Sequence, residues 1–579
     1  MSRLLAAYLL ALLVLVAGSD LRRVGDGREY LDMAQAFLRL EAPPPYIHFW
    51  FYPLLAVPFL ALVRLTPLDP FAAFVPLNLM LLAAAFLVAS RVLAWPALLL
   101  VFVSPIVWWV DKAHTEVFSF SLLTIALVAM RRSPGDAKAV HPGVAVLCLA
   151  AAGTQNPPFL LLAPVAIIWL VSTRTVRLGD RRFLALCLAS VLLAALHPLY
   201  YFVQRGQLSA LTRATHGRMS NIDELLAIVR DSNLGLIPNA PVFAVAAMLV
   251  VGVIVARLVR GPRPTIGPDV AFAAVAAVVF LASVSQTTNY DHGGTPGMSR
   301  YALWLIPLLV PFLRTAGEMP MPKAARWSFL VLVILSSAWS IAAFHPKWPQ
   351  YGPRGPSWLA SWLWTNYPWL DRPLPEVFIE RARPGTTARR LPVATMDCGK
   401  ILLMGQGLDT PIWPVPCVPV PVPAECQARG AFCYADRRGQ RYTFSVVPTP
   451  SRANYRFDDG AVWTREEAGP AGDLLERLRW WEMSICDVSV SRVERGQFGL
   501  GGPRHYCGDD RLVAYFRNAG GASVRVRLRT RMSGAFIDAS TGDLVQRVED
   551  DPAPGDVRNL PVPSGPSSVL LVLTKSGWP

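Results

Sequence analysis

Four short segments carry the residue types that move protons and hold anions. The first is Gly25-Asp26-Gly27-Arg28-Glu29-Tyr30-Leu31-Asp32, just past the apolar run Leu4 to Gly18. A carboxylate there sits where bilayer meets water, flanked by Arg22 and Arg23, and Asp26 can take a proton from a polar group at that level. Glu29 is the reserve base, or else a charge favouring a helix N-terminus. The second is Asp111-Lys112-Ala113-His114-Thr115-Glu116, in which His114 and Glu116 can orient a substrate or share a divalent ion. Two ligands are too few for a metal site, so orientation is the preferred role and no metal is assigned. The third, Gln204 to Asn239, includes Asp231-Ser232-Asn233-Leu234-Gly235, with Asn233 as a further polar contact. The fourth runs from Asn289 to Tyr301. Its Gly293, Gly294 and Gly297 free the backbone to present N–H groups, Ser299 suits a helix cap, and Arg300 adds a forked cation. Together these make an anion site. A Gly-rich turn with Arg300 snorkelling to lipid headgroups is the plainer alternative.

Composition sets the elements that must position these groups. Of 579 residues, 53% are hydrophobic and 16% charged, the balance of an integral membrane protein. The net charge of +15 resides largely in short Arg-rich loops, which topology explains without nucleic acid. Apolar runs near 4–19, 71–90, 96–111, 115–131, 141–155, 157–172, 183–203, 241–258, 268–286, 300–314 and 327–344 predict about eleven spans. With the N-terminus inside, Arg91, Arg131-Arg132 with Lys138, Arg174 to Arg182, Arg257 to Arg263 and Arg314 to Arg326 are all cytoplasmic. The four segments then share the outer face. Trp50 to Leu65, interrupted by Pro53 and Pro58, reads as a kinked helix that does not cross. Tyr30, Met33, Ala34, Phe37 and Leu38 mark an amphipathic helix along the membrane surface. The first apolar run lacks a convincing cleavage site and is read as a retained helix.

The apolar runs stop near Phe344, which divides the chain into a membrane domain, 1–345, and a soluble domain, 346–579. Segments Arg441 to Val447, Ile485 to Val493, Arg511 to Arg517, Ser523 to Arg531 and Ser567 to Thr574 predict strands. Cys398, Cys417, Cys426, Cys433, Cys486 and Cys507 all lie there, as a disulfide set does in an oxidising compartment, with Cys426 or Cys433 pairing locally. Trp358, Trp362, Trp364, Tyr367 and Trp369 read as an interfacial belt.

The order of these motifs resembles the GT-C superfamily of integral membrane glycosyltransferases, specifically bacterial relatives of protein O-mannosyltransferases and aminoarabinose transferases. The resemblance rests on Val24 to Tyr30, the Pro-rich Pro43 to Tyr46, His114-Thr115-Glu116 and Gly293 to Tyr301, and covers about the first 60% of the chain. Many relatives carry an acidic pair in the first loop, whereas here Gly27 follows Asp26. The resemblance implies a polyprenyl-phosphate-linked sugar donor and a glycan, lipid or protein acceptor, at the periplasmic face of an inner membrane. It implies Asp26, with Glu116 beside it, as the catalytic acids, Asp26 being the general base. Arg300, Gly293, Gly294 and Ser299 would bind the donor phosphate, and His114, Glu29 and Asn233 would orient the acceptor. A divalent cation is used by some such enzymes and not others.

The rival reading is a non-enzymatic lipid or polysaccharide transporter, which should show two similar halves and charges within spans. No convincing repeat occurs. A phosphoethanolamine-type transferase would need Asp/His metal clusters in the soluble part.

The topology is directly testable. With Cys148 and Cys187 replaced by Ala, Arg132→Cys should react with a membrane-impermeant thiol reagent only after the cytoplasmic face is opened. Ser361→Cys should react in intact cells. Labelling of both from one side overturns the assignment.

Overall fold

In the computed structural model, proline and chain length decide which apolar runs become long helices. The structure describes residues 2–19, 25–44, 48–131, 140–205, 208, 222–260, 267–287, 295–319, 322–348, 355–382, 393–395, 397–404, 422–427, 432–439 and 441–447, and beyond 448 the strand segments alone. The helical part comprises α1 (Ser2–Ala17), α2 (Gly27–Leu38), α3 (Phe51–Val63), α4 (Phe74–Ala89), α5 (Trp95–Phe102), α6 (Glu116–Ala129), α7 (Gly143–Gln155), α8 (Pro158–Ser172) and α9 (Arg181–Arg205). Helices Ile222–Arg230, Pro241–Arg260, Pro268–Ser285, Leu309–Glu318 and Lys323–Ala343 follow.

Among the described residues, three helices are long and apolar enough to cross a membrane: Pro70–Ala89, Arg181–Val203 and Lys323–Ala343. Two of them have a capping aspartate at the start. Asp69 accepts from the Phe71 N–H at 2.9 Å ahead of Pro70, and Asp180 accepts from Arg182 and Phe183 N–H. The prediction of about eleven spans is not supported. The run expected over 96–111 stops at Phe102, and a separate 3-10 turn starts at Pro105. The run over 300–314 is a 3-10 turn, Arg300–Leu305, followed past Pro307 by Leu309–Glu318. Other apolar helices, such as α6, α7 and α8, have 13 to 15 residues. At 1.5 Å per residue these fall short of a hydrocarbon layer of about 30 Å. The Trp50 to Leu65 run forms one continuous helix, α3, with Pro58 inside it.

α2 departs from the surface-helix expectation. Its apolar face, Tyr30, Met33 and Ala34, is buried against Tyr52, Ala56 and Leu60 of α3 and against Phe71 and Phe74. Protein, not bilayer, covers it. The main core lies among α4 to α8 and the later helices, with Trp108, Trp109 and Trp304 inside it.

Two compact units divide the chain. Unit 1 spans residues 1–212 and 217–448, so the boundary read near 345 lies within it. It contains the antiparallel sheet β1 (Val393–Ala394), β2 (Lys400–Met404), β3 (Phe432–Arg438) and β4 (Arg441–Val447), in that order. Lys400 stands opposite Asp436, and their buried side chains pair at 2.7 Å. This sheet is tied to the helical part through a polar junction. Ser232 Oγ and Trp364 Nε1 both donate to Asp371 Oδ2, at 2.7 and 2.6 Å. Ser357 N–H donates to Asn233 Oδ1 at 3.1 Å. Burial pushes the neighbouring Asp231 carboxyl up to about 7, with the Asp371 carboxylate adding to the effect. Of the expected aromatic belt, Trp358 and Trp362 are exposed, but Trp364 is buried in this junction.

Unit 2 comprises 213–216 and 449–579. Its described strands are β5 (Cys486–Ser489), β6 (Arg504–Cys507), β7 (Arg511–Arg517), β8 (Ser523–Leu528), β9 (Ser533–Asp538), β10 (Leu544–Val548), β11 (Val557–Pro561) and β12 (Ser568–Thr574). They form a five-stranded sheet, β10-β9-β12-β7-β6, and a three-stranded one, β11-β8-β5. The β-rich character predicted for this region holds.

Cys426 and Cys433 form a disulfide seven residues apart, and Cys398 is disulfide-bonded as well. Cys417 lies outside the described residues. Non-reducing peptide mapping should recover Cys426 and Cys433 in one linked fragment. Replacing both by Ser should lower the local stability of the β3–β4 hairpin by about 2 kcal/mol, the loop-closure term for so short a ring, read as faster amide exchange. Unchanged exchange would overturn the stapling role.

Candidate functional site

The charged cluster begins with a backbone requirement. Gly25 has a φ of +46°, a region that favours glycine, and it turns the chain so that Asp26 immediately precedes α2. Glu29 follows in the first turn. The second strand of the site is held by Asn78, fully buried in α4. Its amide donates to the carbonyls of Val110 and Lys112 at 3.1 and 2.9 Å, and its oxygen accepts from Tyr52 O–H at 2.9 Å. An apolar helix thereby clamps the irregular Val110–Lys112 turn, and the clamp delivers His114 and Glu116 at the start of α6.

The third strand is the 3-10 turn Arg300–Leu305. Ser299 occupies its N-cap position, buried, without a side-chain cap to the turn; its own N–H donates to Leu234 carbonyl at 3.0 Å. Gly297, at a φ of +105°, lies so close to Asn239 that an added Cβ would stand 2.4 Å from Asn239 Oδ1. Gly293 and Gly294 lie outside the described residues, as do Arg22 and Arg23.

These three strands converge on Arg300. Its Nη1 donates to Asp26 Oδ2 at 3.2 Å and to His114 Nε2 at 2.8 Å, and its Nε lies 3.7 Å from Glu116 Oε1. Tyr301 lies under the guanidinium, 5.2 Å from ring centroid to Cζ. Because Arg300 can only donate, His114 Nε2 accepts, which assigns the proton to Nδ1, facing Glu116 Oε2. Tyr30 packs edge-on to the His114 ring.

One member escapes sequence reasoning. His48 places Nε2 3.2 Å from Asp26 Oδ2 and Nδ1 2.7 Å from Glu29 Oε2, bridging the two acids. A single His after a Pro-rich stretch carries no spacing signal, and only its scarcity, eight in the chain, could have marked it. Asn233 hydrogen-bonds to Ser357, Ser232 and Asn239, in the junction with the sheet.

The electrostatics follow from these contacts. Burial disfavours the charged form of Asp26. The His48 cation, its hydrogen bond to Asp26, and Arg300 outweigh it and hold the carboxyl well below the usual range. Burial likewise works against the His48 cation, but Asp26 and Glu29 raise its pKa to about 10. For His114, Glu116 and Asp26 overcome burial and raise its proton affinity. Asp26 is thus no bystander in a solvated loop: its side chain is 20% exposed and lies 3.2 Å from both the Arg300 guanidinium and His48 Nε2. Among the described residues no group of three or more His, Cys, Asp or Glu side chains is arranged to hold a metal ion.

His48 gives the cluster a pH signature. Its pKa in the folded chain lies above the ordinary 6.5. The stabilisation it contributes is therefore complete below about pH 6.5 and is lost as the pH rises through about 10. The melting-temperature gap between the purified chain and His48→Gln should be constant on the acid side and close across that window. A gap that widens with pH would contradict the assignment.

Neither a protein-family model nor a curated protein matches the chain.

Proposed function

We propose that this chain is a GT-C-type membrane glycosyltransferase that moves a sugar from a polyprenyl-phosphate donor to an acceptor hydroxyl on the extracytoplasmic face. The observation that carries this reading is the contact of Arg300 with both Asp26 and His114 in one partly buried cluster. It supplies a carboxylate base, a forked cation for a phosphate and a histidine between them. The resemblance of the loop motifs to that superfamily supports it further, as do helices long enough to enter a membrane.

The donor phosphate competes with Asp26 for Arg300. As the phosphate takes the guanidinium, two things follow. Asp26 Oδ2 loses one of its two cations, with His48 still holding it, and accepts a proton more readily. His114 Nε2 loses its donor and, with its raised proton affinity, takes a proton from solvent as the phosphate binds and donates it in a hydrogen bond to the phosphate. The acceptor oxygen then bonds to sugar C1 on the face opposite the phosphate. The C1–O bond to phosphate breaks, its electron pair leaves with the polyprenyl phosphate, and the hydroxyl proton passes to Asp26. Asp26 binds protons weakly, so transfer occurs only as the attacking oxygen becomes acidic in the bond-forming step. The configuration at C1 inverts. Arg300 and the protonated His114 stabilise the departing charge.

The test uses the full chain in detergent with undecaprenyl phosphate carrying mannose, glucose or arabinose, read as release of undecaprenyl phosphate. Asp26→Asn should slow release by roughly 10² to 10⁴ while still binding undecaprenyl phosphate. Arg300→Ala should abolish that binding, and Arg300→Lys should restore it in part, because the fork is lost. Full activity in Asp26→Asn would refute the base assignment.

A further inference from the structure

A second set of polar groups lies beside the charged cluster and carries no charge. Gln155 ends α7, and both its amide atoms are inaccessible to solvent and without a hydrogen-bond partner among the described residues. His197, within α9, is 8% exposed. Its Nδ1–H donates to Thr154 carbonyl at 2.9 Å, which leaves Nε2 as a bare acceptor, also buried and unpartnered. A buried polar group without a partner has given up its water with nothing in return. Two such groups on facing helices, one residue from a shared hydrogen bond, amount to a cost that a hydroxyl-bearing ligand would relieve.

Contacts made by two sequence neighbours place this region next to the charged groups. Asn156, beside Gln155, donates to Ser119 Oγ at 2.7 Å and to Thr115 Oγ1 at 3.4 Å, and Thr115 separates His114 from Glu116. Phe49, beside His48, packs on the His197 ring with centroids 5.4 Å apart. Tyr200 packs against both Phe49 and Trp50, at 5.5 and 6.4 Å. Aromatic faces with amide and imidazole acceptors suit the C–H faces and O–H edges of a sugar ring.

We infer that Gln155, Asn156 and His197, with the rings of Phe49, Trp50 and Tyr200, form an uncharged subsite for the sugar of the lipid-linked substrate, selecting a neutral pentose or hexose. This rests on the proposed function, since it assumes that the phosphate lies at Arg300. None of the six residues offers a carboxylate to an amino sugar or a guanidinium to a uronate. His197 Nε2 accepts a hydrogen bond from a hydroxyl, and the Gln155 amide can both donate and accept.

The experiment measures binding to the detergent-purified full chain of undecaprenyl phosphate alone and of the same lipid carrying mannose, glucose, arabinose or glucosamine. At least one neutral-sugar lipid should bind about tenfold tighter than the bare lipid, the size of one to two net hydrogen bonds. Gln155→Leu and His197→Phe should each remove most of that preference and leave bare-lipid binding unchanged. Gln155→Glu keeps the shape and adds a charge, so it should shift preference toward the glucosamine lipid. A wild-type chain that prefers no neutral sugar, or variants that leave the preference intact or weaken bare-lipid binding equally, would overturn the subsite. Arg300→Ala separates the two ideas: unchanged bare-lipid binding there defeats the phosphate assignment, whereas a sugar preference lost in Gln155→Leu still upholds the subsite.

Discussion

A buried guanidinium cannot be left uncompensated. Arg300 stands at the start of a short 3-10 turn, largely out of water, where an unpaired charge would cost several kcal/mol. Its compensation comes from Asp26, 274 residues away, and from His114 and Glu116 at the start of α6. Three chain segments remote in sequence must therefore meet within a few ångströms before any of them is stable there. Much of the arrangement of unit 1 serves that meeting. α2 is pinned on α3 by Tyr30 and Tyr52, and Tyr52 in turn holds Asn78, which holds the turn before His114.

The same economy explains why the cluster is more than a set of ion pairs. His48 gives Asp26 and Glu29 a common cation, while Arg300 reaches Asp26 from the other side. Asp26 can thus surrender one cation and remain held by the other. A carboxylate supported by only one partner would swing away when that partner was claimed. Two supports on different elements let a group change its bonding without losing its position.

Much of this convergence is legible in the residues themselves. Asp26, His114, Glu116 and Arg300 are charged or polar groups bordering apolar runs, where such groups are costly without a partner. The strands after residue 440 are legible too, because β-branched residues alternate between turn formers, as in Ser523–Leu528. Span number is not, since apolar composition runs straight through 96–111 and 300–314, where short helices and 3-10 turns meet around Pro105 and Pro307. Asn78 is equally silent: one amide in the apolar run Phe74–Ala89 gives no hint that it satisfies a loop on another element. Asn233 is polar and outward in sequence, but the geometry gives its oxygen to Ser357, a partner 124 residues on.

The approach of Gly297 to Asn239 has a consequence for reading natural variants. The Asn239 amide donates to the carbonyls of Asn233 and Gly235, within the segment that also meets Ser357. Position 297 therefore has two readerships, the cation three residues ahead and the joint between helices and sheet. A side chain introduced there would disturb both at once. Its phenotype would resemble an assembly fault in one assay and a lost cation in another, although a single methyl group caused both.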